Sequence, residues 1–248
     1  MERYDDTSYG DAFADVYDDW YADVSDVAAT VETLLELARH GRVLELGVGT
    51  GRLAIPLARA GAAHGVRVAG IDTSSAMLDR LAASDGDGLV DGRLGNMAGP
   101  LPDGPFDLVF VAYNTLFNLT TAASQTACFE AVSRALAPGG RFVVEAFVPS
   151  DDGGPDSDVS VRSMAADRVV LSVSTRDPDR QVAEGQFVEF TEAGGVRLRP
   201  WSIRYCSVSE LDDMAERAGF ELEHRWGSFA RDAFGAGSER HVSVYLLR

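Results

Sequence analysis

The chain has 248 residues, 46% of them hydrophobic, and a formal net charge of −17, enough apolar content for one sizeable core and a length at which α/β folds commonly form a single domain. That acidity argues against nucleic acid as a partner, because surfaces that track phosphates present basic patches. Apolar runs of about 18 residues, the length of a membrane span, are missing, and the N-terminus is acidic where a signal peptide is positive, so a cytoplasmic, unprocessed protein without a membrane partner is expected.

In chain order, Asp26 to Arg39 carries Val27, Val31, Leu34, Leu35 and Ala38 at helical spacing and stops at Gly41. Val43 to Leu46 is a short apolar run, followed by glycines and then by Leu53 to Ala60, which reads as a helix. Val66 to Ile71 predicts a second strand with its helix over Ser75 to Ala83. Residues 84 to 92, rich in Asp and Gly, are expected to loop, with a weak third strand over Leu89 to Leu94. Phe106 to Ala112 is the fourth strand, Ala122 to Leu136 a helix, and Arg141 to Phe147 the fifth strand. Strands alternating with helices in this way specify a parallel sheet with crossover helices.

The pattern changes after Pro149, where an Asp/Gly/Ser-rich stretch to residue 159 predicts a loop. Strand-like runs follow at Arg168 to Ser174, Gln181 to Thr191 and Val196 to Tyr205, which together read as an antiparallel insertion. Ser209 is the expected N-cap of a helix ending at Ala218 before Gly219, and Phe220 to Trp226 and His241 to Leu247 would close the sheet. The fold class is therefore α/β: a Rossmann-like, mostly parallel seven-stranded sheet with helices on both faces and an antiparallel β insertion after the fifth strand. An exposed strand of that insertion offers an edge for pairing in a homodimer.

Two further features bound the chemistry. Cys128 and Cys206 lie far apart, with neither CxxC spacing nor a histidine pattern for a metal, and read as reduced structural thiols. The charge is uneven: residues 1–40 hold eleven acids against two arginines, whereas residues 162–204 hold seven arginines against six acids. Most of these are solvated faces, yet an anionic group on a substrate is better received near the second segment. Arg199 and Arg204 are candidates to meet one, and either serves equally as a surface residue.

The segment Val43-Leu44-Glu45-Leu46-Gly47-Val48-Gly49-Thr50-Gly51-Arg52 places glycines at a strand-to-helix turn, where the backbone can approach a nucleotide-like ligand. A dinucleotide fingerprint has its third glycine three residues after the second, and here that position is Arg52. Asp72 ends the second strand about 20 residues on, where a carboxylate can accept both ribose hydroxyls; capping the helix from Ser74 is the alternative role. Gly95-Asn96-Met97 follows the third strand, placed to meet an adenine.

These residues, with Met77 and Leu136-Ala137-Pro138-Gly139-Gly140, resemble class I S-adenosylmethionine-dependent methyltransferases over most of the chain up to residue 149. The resemblance implies S-adenosylmethionine as donor and S-adenosylhomocysteine as product. It draws the cofactor site from Glu45, Gly47, Gly49, Gly51, Arg52, Asp72, Thr73, Met77, Asn96, Met97 and Tyr113. Asn96 stands where the family usually has an aspartate, but its amide oxygen can still accept from an adenine amino group. The chain then divides into N-terminal cap helices over 1–40, a cofactor-binding core over 41–149, a substrate-side insertion over 150–205 and a closing helix and strands over 206–248, all within one domain.

The segment Tyr9 to Tyr21 is similar to the opening of bacterial methyltransferases that N-methylate nucleotide-linked amino sugars. That similarity implies that Tyr9 and Tyr17 close over donor and acceptor. With it, Glu145 and Tyr17 are the catalytic candidates and Tyr21, Asn114, Asn118 and Glu145 the substrate-binding ones, to which the charge distribution adds Arg204. Asn118 replaces the histidine those enzymes carry. The expected reaction is methylation of a small molecule, a natural-product or sugar intermediate, at nitrogen more than oxygen. A hydroxyl acceptor would call on Glu145, His224 or His241 as base. A nicotinamide-dependent oxidoreductase and a non-catalytic S-adenosylmethionine-binding protein remain rivals on sequence alone.

Overall fold

The structure, a computed structural model, describes residues 1–22, 24–39, 41–149 and 156–248. Two short helices, α1 (Ser8–Phe13) and α2 (Tyr17–Trp20), precede α3 (Val27–Ala38). The central part runs β1 (Arg42–Leu46), α4 (Ala54–Gly61), β2 (Arg67–Asp72), α5 (Ser75–Ser84), β3 (Val90–Leu94), β4 (Phe106–Val111), α6 (Ala122–Ala135) and β5 (Leu136–Phe147). Four strands follow, β6 (Ser157–Met164), β7 (Arg168–Asp177), β8 (Val182–Thr191) and β9 (Val196–Arg204), and then α7 (Val208–Arg217), β10 (Phe220–Trp226) and β11 (Arg240–Leu247).

The seven-stranded sheet has the order β10-β11-β5-β4-β1-β2-β3, with β11 antiparallel to both of its neighbours and the other pairs parallel. Its central strands are continuous apolar runs because both faces are covered. Along β4, Leu108 and Phe110 pack toward α3 and α4, while Val109 and Val111 pack toward α6 and α7. Strand order reverses between β1 and its neighbours β4 and β2, and open α/β sheets bind ligands at the carboxyl ends of strands at such a point.

Three local expectations are corrected. The helix after the insertion is capped by Ser207, not Ser209: the Ser207 hydroxyl accepts from the Glu210 N–H, and the Glu210 carboxylate reciprocates at the Ser207 N–H. The fifth strand begins at Leu136, so the Pro-Gly-Gly segment lies inside it. The loop expected to residue 159 instead gives way to β6 from Ser157, and the rest of that loop, residues 150–155, lies outside the described residues. The insertion is thus a four-stranded antiparallel sheet, β6-β7-β8-β9.

One side of this second sheet packs on the N-terminal cap. Phe187 meets Phe13 and Trp20 edge-on, with centroids 5.7 Å away in each case. Arg199 is fully buried between them, donating to the Ala12 carbonyl, to Asp15 at 2.6 Å and to Glu189 at 3.0 Å. It is neither a surface residue nor a receptor for an anionic ligand; it ties the insertion to the cap. Cys128 and Cys206 are buried free thiols, and burial pushes each up to about 12, which keeps them unreactive. Among the described residues no helix is long and apolar enough to cross a membrane.

Candidate active site

The turn after β1 requires its glycines. Gly47 and Gly49 have φ of +69° and +54°, a region that side chains with a Cβ resist, and a Cβ on Gly47 would stand 2.3 Å from the Thr115 methyl. The Gly49 N–H donates to Asp72 Oδ2 at 2.9 Å, and the Ser74 N–H donates to Asp72 Oδ1 at 2.9 Å. Asp72 therefore both fixes the turn and borders the α5 N-terminus, which Ser74 itself caps at the Met77 N–H. Burial raises the Asp72 carboxyl above its ordinary range, against the pull of the Ser74, Gly49 and Thr73 amides.

A cleft opens over this turn. Of the residues expected from the sequence it brings together Tyr9, Tyr17, Gly47, Gly49, Asp72, Thr73, Met77, Asn96, Met97 and Asn118. The cap is fastened to the turn by polar contacts: Thr50 donates to Asp18 at 2.6 Å, Ser74 donates to Asp11 at 2.6 Å, and Thr73 donates to the Asp6 carbonyl at 2.5 Å. Tyr4, Asp5 and Asp6 also line the cleft and were not foreseen, because their partners lie far away along the chain.

Asn96 is fixed from two sides: its amide oxygen accepts from the Ala98 N–H at 2.8 Å, and its Nδ2 donates to an Asp6 carboxylate oxygen at 2.6 Å. Asp6 is thereby held beside Asn96 in the cleft lining.

Glu45, Gly51, Arg52, Tyr21, Tyr113, Asn114 and Glu145 do not line this cleft but, Gly51 apart, adjoin its inner end. Tyr17 stacks on Tyr21 with centroids 4.8 Å apart, Tyr21 meets Tyr113 edge-on at 5.8 Å, and the Tyr9 hydroxyl donates to that of Tyr21 at 3.1 Å. The Arg52 guanidinium stands 5.9 Å from the Tyr113 ring centre and donates to Ser25. Tyr113 and Asn114 follow β4 with φ of +48° and +64°, a conformation that costs residues with a Cβ about 1–3 kcal/mol and collects at functional turns. It is held by Glu145, whose Oε2 accepts from the Tyr113 N–H at 2.8 Å, and by the Asn114 Oδ1, which accepts from the Phe147 N–H at 2.7 Å.

Glu45 and Glu145, both buried, and the partly buried Asp72 thus stand at or near the carboxyl ends of β1, β5 and β2, and among the described residues none of them forms an ion pair. Burial raises the Glu145 carboxyl, against the Tyr113 amide and Arg52. Burial also pushes Glu45 up to about 8, against Arg52 and the Ala54 N–H, and Glu45 Oε2 has no hydrogen-bond partner. The tyrosine hydroxyls of Tyr9 and Tyr17 are raised by burial, so both stay neutral.

The raised Glu45 carboxyl has a consequence for stability. Protons are bound more tightly in the folded than in the unfolded chain, so its contribution is full below the unfolded value near 4.5 and is lost as pH rises toward about 8. Glu45→Gln is expected to leave the melting temperature of the ligand-free protein nearly unchanged at pH about 5 and to raise it by about 4 °C or more at pH about 8.5, given roughly 2–4 °C per kcal/mol at this size. Thermal melts followed by circular dichroism at the two pH values check this; equal melting at the higher pH would show that Glu45 is not held protonated.

Arg204 does not join the site. Its guanidinium donates to Gln125 at 2.7 Å, Gln181 at 2.6 Å and Glu210 at 3.1 Å, clamping α6, the turn before β8 and α7 together. The two histidines also stand aside: His224 stacks on Trp226 at 5.1 Å on β10, and His241 is buried in β11, where burial lowers it to about 4.

Comparison with known proteins agrees with this architecture. A family model described as "Methyltransferase domain" matches residues 43–140. The chain is 39% identical to the CcbJ methyltransferase of Streptomyces caelestis, covering 99% of this chain and 100% of that one, and the two superpose with a TM-score of 0.88. It is 29% identical to the cypemycin N-terminal methyltransferase of a Streptomyces species over 83% of this chain and 82% of that protein. The structure of CalS10 with S-adenosylmethionine bound, an amino pentose methyltransferase from Micromonospora echinaspora, shares the fold with a TM-score of 0.63 at 24% identity, covering 98% of this chain and 92% of that one.

Proposed function

We propose that this chain, which belongs to the S-adenosylmethionine-dependent methyltransferase family, methylates the nitrogen of a small-molecule amine, a natural-product or sugar intermediate. Family membership removes the nicotinamide-dependent rival. The observation that carries the nitrogen reading is Glu145, a buried carboxylate without an ion-pair partner among the described residues, beneath the tyrosine cover, where an amine meets a proton acceptor and an anion is disfavoured. The names of its relatives support it, since they include the cypemycin N-terminal methyltransferase and the amino pentose methyltransferase CalS10.

The residues present fit the donor. The glycine turn leaves room for close approach, and Asp72 offers ribose hydroxyls a carboxylate already oriented by two amides. Glu45 presents its unpartnered Oε2 to an ammonium group, Met77 and Met97 present apolar surface to the adenine, and Asp6, held by Asn96, presents the acceptor for its amino group. Gly51 and Arg52 complete the turn, with Arg52 placed beside Tyr113. Bound there, S-adenosylmethionine supplies an electrophilic methyl group with a neutral thioether as leaving group.

The remaining work is placement. In-line orientation of reacting atoms supplies up to several kcal/mol, on the order of 7–11 kcal/mol in the best-aligned systems, and Tyr17, Tyr21 and Tyr113 form the wall that sets it. With Oε2 anchored by the Tyr113 N–H, Glu145 Oε1 is the oxygen available to hold the acceptor amine and to take its proton. Asn114 and Asn118 border the acceptor side, and the whole chain acts as one domain, with cap and insertion as the cover.

The test is turnover with methyl-labelled S-adenosylmethionine against three acceptor classes: nucleotide-linked amino sugars, small secondary amines and peptide N-termini, with hydroxylated analogues beside each. S-adenosylhomocysteine formed in step with an N-methyl product is expected. Label found on oxygen alone would replace the nitrogen reading with an O-methyltransferase.

A further inference from the structure

We propose that Arg162 decides how many methyl groups the acceptor nitrogen receives: its guanidinium fills an aromatic cage beside the tyrosine wall and bars the step that makes a quaternary ammonium. The inference rests on the nitrogen reading above and names the amines that are accepted, those that still have a proton to lose.

The cage is built from both covers of the site. The guanidinium carbon of Arg162 stands 4.9 Å from the Trp20 ring centre, 5.3 Å from that of Tyr21 and 4.7 Å from that of Phe187, each within the roughly 6 Å at which a cation is attracted to a ring face. Trp20 and Tyr21 belong to the cap, Phe187 to β8. Among the described residues Arg162 forms no ion pair and donates to the Trp20 carbonyl alone, at 3.4 Å. By contrast, Arg168, Arg180, Arg197, Arg199 and Arg204 of the same insertion each meet a carboxylate. The charge of Arg162 is held by rings.

The backbone aims it there. Val161 pairs with Leu171 and Ser163 with Val170, so Arg162 is the extra residue of a bulge in β6. A bulge gives up a ladder pairing to re-aim a side chain, and bulges gather beside active sites.

The cage shares Tyr21 with the wall that orients the acceptor in the proposed reaction. Tyr21 is buried, stacks on Tyr17 and meets Tyr113 edge-on, and the Tyr113 N–H is held by Glu145. Burial and Tyr21 raise the Tyr113 hydroxyl while Arg162 pulls it down, so the guanidinium charge is felt across the wall.

Methylation of a primary or secondary amine forms an N–C bond from the nitrogen lone pair, and the electrons of the S–C bond stay with sulfur. The nitrogen becomes positive and sheds that charge by giving its proton to Glu145. A tertiary amine makes and breaks the same bonds but has no proton to give, so its charge is permanent and no proton acceptor is needed. What opposes this last step is charge and space. Aromatic faces around a site receive a methylated ammonium well, and here a guanidinium already occupies the place and repels a second cation. Unit charges about 6 Å apart at an effective dielectric constant of about 20 disfavour each other by a factor of about 100.

The test supplies the full chain with methyl-labelled S-adenosylmethionine and with the secondary and tertiary forms of each acceptor class named above, and identifies products by mass. The parent is expected to turn over the tertiary form at least about 100-fold more slowly than the secondary one. Arg162→Ala is expected to narrow that gap to about 10-fold or less and to release a quaternary product, whereas Arg162→Lys, which leaves a cation on the rings, keeps the gap. Adding Glu145→Gln to Arg162→Ala is expected to slow the secondary form and spare the tertiary one. Separately, tetramethylammonium chloride titrated into the ligand-free chain and followed by tryptophan fluorescence is expected to bind Arg162→Ala at least about 10-fold more tightly than the parent. Arg162→Gln replaces Arg162→Ala in both experiments if the latter fails to fold by circular dichroism. A folded variant that stops at the parent's methylation level, or that binds tetramethylammonium no more tightly, overturns this proposal alone, as does a parent that itself makes the quaternary product. Label on oxygen alone overturns the nitrogen reading, and this proposal with it.

Discussion

Asp72→Ala is expected to raise the dissociation constant for S-adenosylmethionine at least about 100-fold, which is about 2.7 kcal/mol. Two losses combine. The variant removes the carboxylate proposed to accept from the ribose hydroxyls, and hydrogen bonds to charged groups contribute about 1.5–3 kcal/mol each. It also frees the Gly49 and Ser74 N–H groups that Asp72 holds at 2.9 Å, so the glycine turn loses its orientation before any ligand arrives. Asp72→Asn separates the two, since an amide oxygen keeps one backbone contact but lacks the charge. Calorimetric titration should rank the parent chain first, Asp72→Asn second and Asp72→Ala last. Parent-like affinity in Asp72→Ala, with the fold intact, would move the ribose site elsewhere.

What the sequence made legible here is what local spacing controls. The parallel strands announce themselves as apolar runs because both faces are buried, and the glycine turn is legible because φ near +60° at residues 47 and 49 leaves glycine as the residue of choice. Asp72, one strand later, follows from the same βαβ geometry. Strand β6 escaped because its sequence, SDVSVRSM, alternates with serines and charges after a turn-rich segment, and its apolar residues face outward instead of into a core.

Contacts between distant residues were not legible. Arg199 and Arg204 look alike in sequence, as cations in a strand with an anion to meet. Arg199 finds its anions in Asp15, 184 residues away, and Glu189, and Arg204 spends its donors on Gln125, Gln181 and Glu210. Neither outcome is encoded by spacing. The same holds for Asp6 and Asn96, which are 90 residues apart: only the folded chain brings the two together. The tyrosine cover lies between these cases, because the resemblance supplied Tyr9 and Tyr17 but the structure added the chain of rings through Tyr21 to Tyr113.

Glu145→Gln is expected to lower kcat for the amine acceptor about 100-fold or more, within the range of about 10²–10⁴ assigned to a positioned proton acceptor. Glutamine keeps the Oε atom that accepts from the Tyr113 N–H, so the strained turn at Tyr113 and Asn114 stays in place and S-adenosylmethionine affinity should be close to that of the parent. The pH profile carries the sharper test. Burial raises the Glu145 carboxyl, and the group is proposed to serve the acceptor amine in its ionised form. The kcat of the parent should therefore fall as pH drops through that raised value, whereas the ordinary carboxylate range would place the fall lower. In Glu145→Gln this limb should vanish, leaving the protonation of the amine itself as the acidic limit. A variant that retains both the parent's kcat and its acidic limb would remove Glu145 from the proton's path and leave methyl transfer to orientation by the tyrosine wall.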